Sequence, residues 1–225
     1  MYLSNRRTVF NFKQTFRRGI MRFILFLALF IGFMVPQAKA DPDSGLYDPI
    51  PPEGAAFIRF VNFDNETLAP QLDGKDFDPV SSKEVTPYFV VLEGEKELQM
   101  SDELKKLNIS GGNFYTIVYQ DQIIVFRDSP NNNRAKATIS LYNLGSKKPL
   151  SLWAENGTVE LLKDVEPYRQ KARQINSVKS DFGIYRDNIR LVDLGEKIIE
   201  RNNYYSVFYA LEKVIFVPAE IDTTK

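Results

Sequence analysis

The chain reads as all-β: two tandem antiparallel β-sandwich domains after an N-terminal signal peptide. Three observations predict this. The first is a repeat. Residues 115–126, Tyr-Thr-Ile-Val-Tyr-Gln-Asp-Gln-Ile-Ile-Val-Phe, are echoed by 205–216, Tyr-Ser-Val-Phe-Tyr-Ala-Leu-Glu-Lys-Val-Ile-Phe. Tyr115/Tyr205, Tyr119/Tyr209 and Phe126/Phe216 fall at one offset, and Ala56–Asn62 parallels Ala137–Asn143. A strand-rich pattern repeated once is most simply two similar domains. The second is the run of short β-branched and aromatic segments separated by Gly, Pro and Asn, with few helical stretches, as sandwiches require. The third is the leader. Residues 1–40 hold Arg6, Arg7, Lys13, Arg17, Arg18, Arg22 and Lys39 and no acid. An apolar run from Phe23 to Val35 and then Ala38-Lys39-Ala40 complete a signal-peptide pattern. That run is shorter than the roughly 20 residues a spanning helix needs, so no stable membrane insertion of the mature chain is expected. The long basic stretch before Met21 suggests that Met21 is the true start.

The mature chain is expected to begin at Asp41. An extended proline-rich arm occupies 41–55, with Pro42, Pro49, Pro51 and Pro52. The first sandwich is assigned to 56–130 and the second to 131–225, divided at Ser129-Pro130-Asn131-Asn132-Asn133. Phe57–Asn62 is the first strand, and Asp73-Gly74-Lys75 marks a hairpin. Tyr88–Leu92 follows Pro87, whose missing donor is tolerated at a strand start. Ser101–Leu107 has modest helical character with Ser101 as N-cap. Tyr115–Tyr119 and Ile123–Phe126 are the next strands. In the second half Thr138–Leu144 is followed by Ser151–Glu155 and Thr158–Leu162, joined by the hairpin dipeptide Asn156-Gly157. Further strands are expected near 182–186, 189–194, 204–209 and 213–217, while 166–176 reads ambiguously.

Charge and composition exclude several functions. The whole chain balances 29 basic against 29 acidic residues. Without the seven leader cations the mature chain has 22 against 29, a net charge of −7. Residues 41–130 carry −10 and residues 131–225 carry +3. The acidic first half argues against nucleic acid, which is bound by neutralising phosphates. There is no histidine and no cysteine. The usual base of serine hydrolases and the thiol nucleophile are therefore missing. No glycine-rich phosphate loop and no Cys/His zinc set appear, so no catalytic residue, metal or cofactor is expected. The acidic groups Asp73/Asp76/Asp78 and Glu93/Glu95/Glu97 read as solvated loop and strand faces.

Three features point outward. Arg169, Lys171 and Arg173 alternate along one stretch and would form a cationic row on one strand face, suited to carboxylates or simply guarding an edge strand. Trp153, the single tryptophan, is either core or a platform for a sugar ring. The arm carries Leu46 and Tyr47, which either dock on a partner or cover their own domain.

The segment Leu46-Tyr47-Asp48-Pro49-Ile50-Pro51-Pro52-Glu53-Gly54-Ala55-Ala56-Phe57-Ile58-Arg59-Phe60-Val61-Asn62 resembles the start of the mature AlgF family. The likeness continues at Asn133-Arg134, Lys136-Ala137, Asn143-Leu144, Ile175-Asn176 and Val178-Lys179. Those proteins are periplasmic accessories of alginate O-acetylation. The resemblance implies a periplasmic, non-catalytic adaptor of two β domains. Its expected partners are membrane-bound and periplasmic polysaccharide O-acetyltransferase proteins, with partner contacts at Leu46, Tyr47, Pro49 and Arg59. The alternative is a carbohydrate-binding module touching the polyuronate through Trp153, Arg169, Lys171 and Arg173.

Overall fold

The computed structural model describes residues 51–129, 133–210 and 213–222. The expected signal peptide and residues 41–50 of the arm lie outside these. Seventeen strands and one short 3-10 turn make up the described chain. The first half contributes β1 (Ala55–Asn62), β2 (Gln71–Leu72), β3 (Lys75–Asp76), β4 (Tyr88–Leu92), β5 (Gly94–Met100), β6 (Glu103–Ile109), β7 (Phe114–Gln120) and β8 (Gln122–Asp128). The second contributes β9 (Ala137–Asn143), β10 (Leu150–Ala154), β11 (Val159–Val165), β12 (Arg169–Ile175), β13 (Val178–Arg186), β14 (Ile189–Ile199), β15 (Tyr204–Ala210) and β16 (Lys213–Ala219). A final β17 (Ile221–Asp222) follows.

These strands form four sheets. The first half has an inner sheet, β17-β4-β1-β7-β8, and an outer sheet, β3-β2-β5-β6. The second half has an inner sheet, β12-β9-β15-β16, and an outer sheet, β11-β10-β13-β14. Three apolar cores order them. Ile58, Phe60, Leu98, Met100 and Ile117 fill the space between the first pair. Ile139, Leu141, Leu152, Phe182 and Val207 fill the second pair. A third core, with Val61, Phe63, Val118 and Phe126 from one half and Tyr142, Leu144 and Phe208 from the other, joins the two inner sheets. Side chains alternate across a strand, so each inner sheet buries both faces. That is why β1 and β9 are buried almost throughout.

The repeat read from sequence is physical. β1 pairs parallel to β7 with Ile58 beside Tyr115, and β9 pairs parallel to β15 with Ile139 beside Tyr205. These parallel pairs interrupt sheets that are otherwise antiparallel, apart from β17, which runs parallel to β4. Asn62 and Asn143 end the two first strands in the same way. Asn62 Nδ2 donates to the Glu66 and Val80 carbonyls at 2.7 and 2.8 Å. Asn143 Nδ2 donates to those of Lys148 and Val165 at 3.2 and 2.9 Å. The hydroxyls of Tyr115 and Tyr205 each accept the amide five residues upstream, Ser110 and Glu200, at 3.0 Å.

Two expectations need correcting. The stretch Ser101–Leu107 is no helix: Ser101, at φ 53°, sits in a turn and β6 pairs with β5. Leu107 and Ile109 alternate with exposed Lys106 and Asn108, and this two-residue period overrides the helical propensity of Glu-Leu-Lys-Lys-Leu. Phe126 and Phe216 are not equivalent either. Phe126 lies opposite Thr116, while Phe216 lies opposite Val207 rather than Ser206. The β15–β16 turn is one residue longer, and a one-residue slip sends every side chain to the other face. Phe126 therefore enters the core between halves, and Phe216 packs on the second sandwich's own core. The hairpin at Asp73-Gly74 is as expected, with both residues in the left-handed region.

Candidate functional site

The densest gathering of polar side chains lies between the two inner sheets. Arg59 sits in the middle of β1 on the face turned to the second half, and it is fully buried. Its Nε donates to Thr116 Oγ1 at 2.8 Å. Its Nη2 crosses to the other half, donating to Ser206 Oγ at 2.7 Å and to the Tyr142 hydroxyl at 3.1 Å. Asp128, at the end of β8, accepts from the hydroxyls of Tyr142 and Thr116 at 2.5 Å and of Tyr88 at 2.7 Å. Ser140 and Tyr204 share a further bond of 2.7 Å. The guanidinium carbon stands 4.5 Å from the Tyr88 ring centre and 5.3 Å from that of Phe208. Cation and carboxylate are thus linked through hydroxyls and wrapped by aromatic rings.

The electrostatics follow from enclosure. Burial pushes the Asp128 carboxyl up, against the opposing pull of Arg59 and three hydroxyl donors. Burial also raises Tyr88 and Tyr142 well above the usual phenol range and pushes Tyr204 up to about 12. For Arg59 burial works against the charge, but Tyr142, Tyr88 and Asp128 outweigh it, so it stays a cation. The only serine hydroxyls here are bonded within the cluster, and none meets a basic nitrogen able to accept its proton. The arrangement holds two sheets together; it offers no opening to a polymer.

Arg59 was expected on a partner-binding surface, and the structure corrects this: with no exposed area it cannot touch a partner. A signal for its true place was legible, since a lone cation amid Ala-Ala-Phe-Ile and Phe-Val belongs to a strand buried on both faces. Its companions Tyr88, Thr116, Asp128, Tyr142 and Ser206 come from five separate strands, and no local pattern joins them. Leu46, Tyr47 and Pro49 lie outside the described residues.

Arg169, Lys171 and Arg173 are exposed on β12, an edge strand, on one face as expected. Two of them are engaged. Lys171 Nζ donates to the carbonyls of Lys163 and Asp164 at 2.8 and 2.9 Å. Arg173 Nη1 donates to those of Glu160 and Leu161 at 3.2 and 3.1 Å. They satisfy the open edge of β11 and close the seam between the two sheets of the second sandwich.

Trp153 is half-buried on the outward face of β10 and lines an open cleft of about 290 Å³. Tyr185 lies beside it, with ring centres 5.5 Å apart. Gly157 and Gly183 make room for that ring, since a Cβ at either would fall within 3 Å of Tyr185. Glu160, opposite Trp153 on β11, and Asp164, Lys163, Arg186 and Asp187 complete the rim. The indole N–H is buried and meets no acceptor among the described residues.

Residues 28–206, well over half the chain, match the family model described as Alginate O-acetyl transferase AlgF. The chain belongs to the AlgF family. The alginate biosynthesis protein AlgF of Azotobacter vinelandii is 27% identical over 170 residues, covering 75% of this chain and 78% of that protein. Its namesake in Pseudomonas aeruginosa is 26% identical over 185 residues, covering 80% and 84%. A solved C-terminal domain of AlgF from P. aeruginosa is 25% identical, covers 38% of this chain and 97% of that one, and has a TM-score of 0.33. The AlgF name ties the chain to alginate biosynthesis and to O-acetylation. Among the described residues no helix is long and apolar enough to cross a membrane.

Proposed function

We propose that this AlgF protein is a non-catalytic periplasmic adaptor. It would be required for O-acetylation of an exported polysaccharide, alginate, and bind the membrane-bound and periplasmic O-acetyltransferase proteins. Residues 56–130 and 131–225 would be its two domains, with the arm Leu46, Tyr47 and Pro49 contributing partner contacts. One observation carries the reading: among the described residues, the one cluster combining a buried acid, a buried cation and serine hydroxyls is sealed between two sheets and spent on joining them. What remains for function is outer surface. A histidine-free chain also lacks the base an acyl-enzyme mechanism would use.

Affinity purification of the tagged chain from periplasm and solubilised membranes should recover the O-acetylation proteins, and an acetyl-ester assay on the pure chain should show no turnover. Failure to recover them across several detergents, or turnover abolished by replacing one serine, overturns the reading. The alternative, a module that binds the polyuronate itself, draws on Trp153 beside the basic row. It is weakened because Lys171 and Arg173 already bond β11. Titration calorimetry with mannuronate oligomers separates the two: micromolar binding lost in Arg169→Ala/Arg173→Ala favours the module.

A further inference from the structure

The chain crosses between the two halves twice, once from β8 to β9 and again at Glu220, the single residue between β16 and β17. β16 is an edge strand of the second inner sheet, and β17 is an edge strand of the first. The end of the second half therefore completes the sheet of the other half. β17 runs parallel to β4, with Ile221 beside Tyr88 and Asp222 beside Phe89. The Tyr88 amide donates to the Glu220 carbonyl at 2.7 Å. Ile221 is about half exposed and enters none of the three apolar cores, so apolar burial contributes little to the hold of this strand. Without β17 the start of β4 would be an open sheet edge. Among the described residues, Tyr88 is the one that both pairs with β17 and enters the buried polar cluster. Its ring centre lies 4.5 Å from the Arg59 guanidinium carbon, and its hydroxyl donates to Asp128 at 2.7 Å. Asp128 ends β8, the opposite edge strand of the same sheet. The Tyr88 side chain is a strap from β4 to β8, laid over the arginine whose Nη2 reaches Tyr142 and Ser206 of the second half.

We propose that the C-terminal strand is a latch on the contact between the halves: β17 holds the backbone of Tyr88, and Tyr88 in turn holds Asp128 beside Arg59. A tyrosine has few side-chain torsions, so the place of its hydroxyl follows closely from the place of its backbone. Tyr88 is a positioning residue in this scheme, and the latch fixes the outer surfaces of the two sandwiches in one relation. The inference stands apart from the adaptor reading, because it concerns how the halves are joined and needs no partner.

A chain ending at Ala219 tests this against the full chain. Hydrogen exchange should quicken about tenfold at the Tyr88 amide and also in β8 near Asp128, while β5 and β6 of the outer sheet keep their protection. Asp222→Pro, which removes a strand N–H without shortening the chain, should act in the same direction and less strongly. Tyr88→Phe separates a latch from a simple cover, since it keeps the ring on Arg59 and removes the bond to Asp128. If β17 acts through that bond, truncation should lower the urea midpoint at most about half as much in Tyr88→Phe as in wild type. Should the shortened chain fail to fold, the same cycle is run with Asp222→Pro in its place. Quickened exchange confined to Tyr88 and Phe89 overturns the proposal, as do equal midpoint shifts in the two backgrounds. In either case β17 covers a sheet edge and leaves the contact between the halves untouched.

Discussion

The two sandwiches keep one backbone plan and diverge where they face each other. Asn62 and Asn143, and Tyr115 and Tyr205, do the same work at matching places. On the facing sides the matches break. The register puts Arg59 beside Thr116 in the first half and Ser140 beside Ser206 in the second. It puts Asp128 opposite Phe114, where the second half has Ala219 opposite Tyr204. Two equal faces pressed together would bury two arginines against each other. One arginine, one aspartate and a set of hydroxyls solve that problem. Duplication supplies two frames, and asymmetry at their shared face welds them.

Replacing Arg59 tests this weld most severely. Arg59→Ala leaves Asp128 buried without its cation and the Tyr142 and Ser206 oxygens without their donor. Each buried oxygen left without its donor costs about 1–3 kcal/mol, so losing the donor of two should cost more than about 2 kcal/mol. The matching change in the other half, Ser140→Ala, removes only one hydroxyl bond and should cost about 1 kcal/mol. Denaturant unfolding of both variants measures the difference. Equal costs would mean that the facing sides are energetically alike and that the asymmetry carries no weight.

The pH dependence of the same weld is the second test. Asp128 is raised in the folded chain, so the native state holds its proton to higher pH than the unfolded chain does. Its contribution is fully present below the unfolded carboxylate range and is lost as pH rises through the folded value. Wild type should therefore lose stability relative to Asp128→Asn as pH climbs from 3 towards neutrality. Urea melts along that range would show the gap widening in the opposite sense if the carboxyl were instead held ionised.

Much of the frame was legible in sequence, because the repeat, the hairpin dipeptides and the two-residue alternation are local. The weld was not. The apolar neighbours of Arg59 mark a buried strand, but nothing near it in sequence announces Asp128, Tyr142 or Ser206, which lie 69, 83 and 147 residues away. The Phe126/Phe216 match misled for a related reason: a constant offset in sequence hides a one-residue slip across a turn. Trp153 was read as core or platform; it is half-buried on β10 beside Tyr185 and lines an open cleft.

The duplicated asparagines give a third, smaller effect that should be equal in the two halves. Asn62→Ala removes the donor of the Glu66 carbonyl and the acceptor of the Asp64 amide, whose bond to Oδ1 is 2.8 Å, while the Val80 carbonyl keeps the Leu68 amide at 3.0 Å. Asn143→Ala removes a donor from the Val165 carbonyl and the acceptor of the Ser146 amide, bonded at 3.0 Å, while the Lys148 carbonyl keeps the Ser146 hydroxyl at 2.8 Å. Leaving buried groups unsatisfied costs about 1–3 kcal/mol, and both variants should fall in that range. Thermal unfolding that shows one of them silent would restrict the shared plan to the strands and exclude the loops.

The smallest effect marks where the halves differ most in exposure. By register with the first strand of each half, Phe89 opposite Ile58 corresponds to Arg173 opposite Ile139. Phe89 is sealed under the first outer sheet, whereas Arg173 lies exposed at the seam and donates to β11 carbonyls. Those carbonyls turn to water when the arginine is removed, so Arg173→Ala should cost under about 1 kcal/mol. Phe89→Ala should cost about 3–5 kcal/mol through the cavity it leaves. The arginine's removal should show instead in the edge: β11 amide exchange should quicken near Glu160 and Leu161 while the core of β9 keeps its protection. Unchanged exchange there would mean that Arg173 does not close the seam, leaving its guanidinium free for an anionic partner after all.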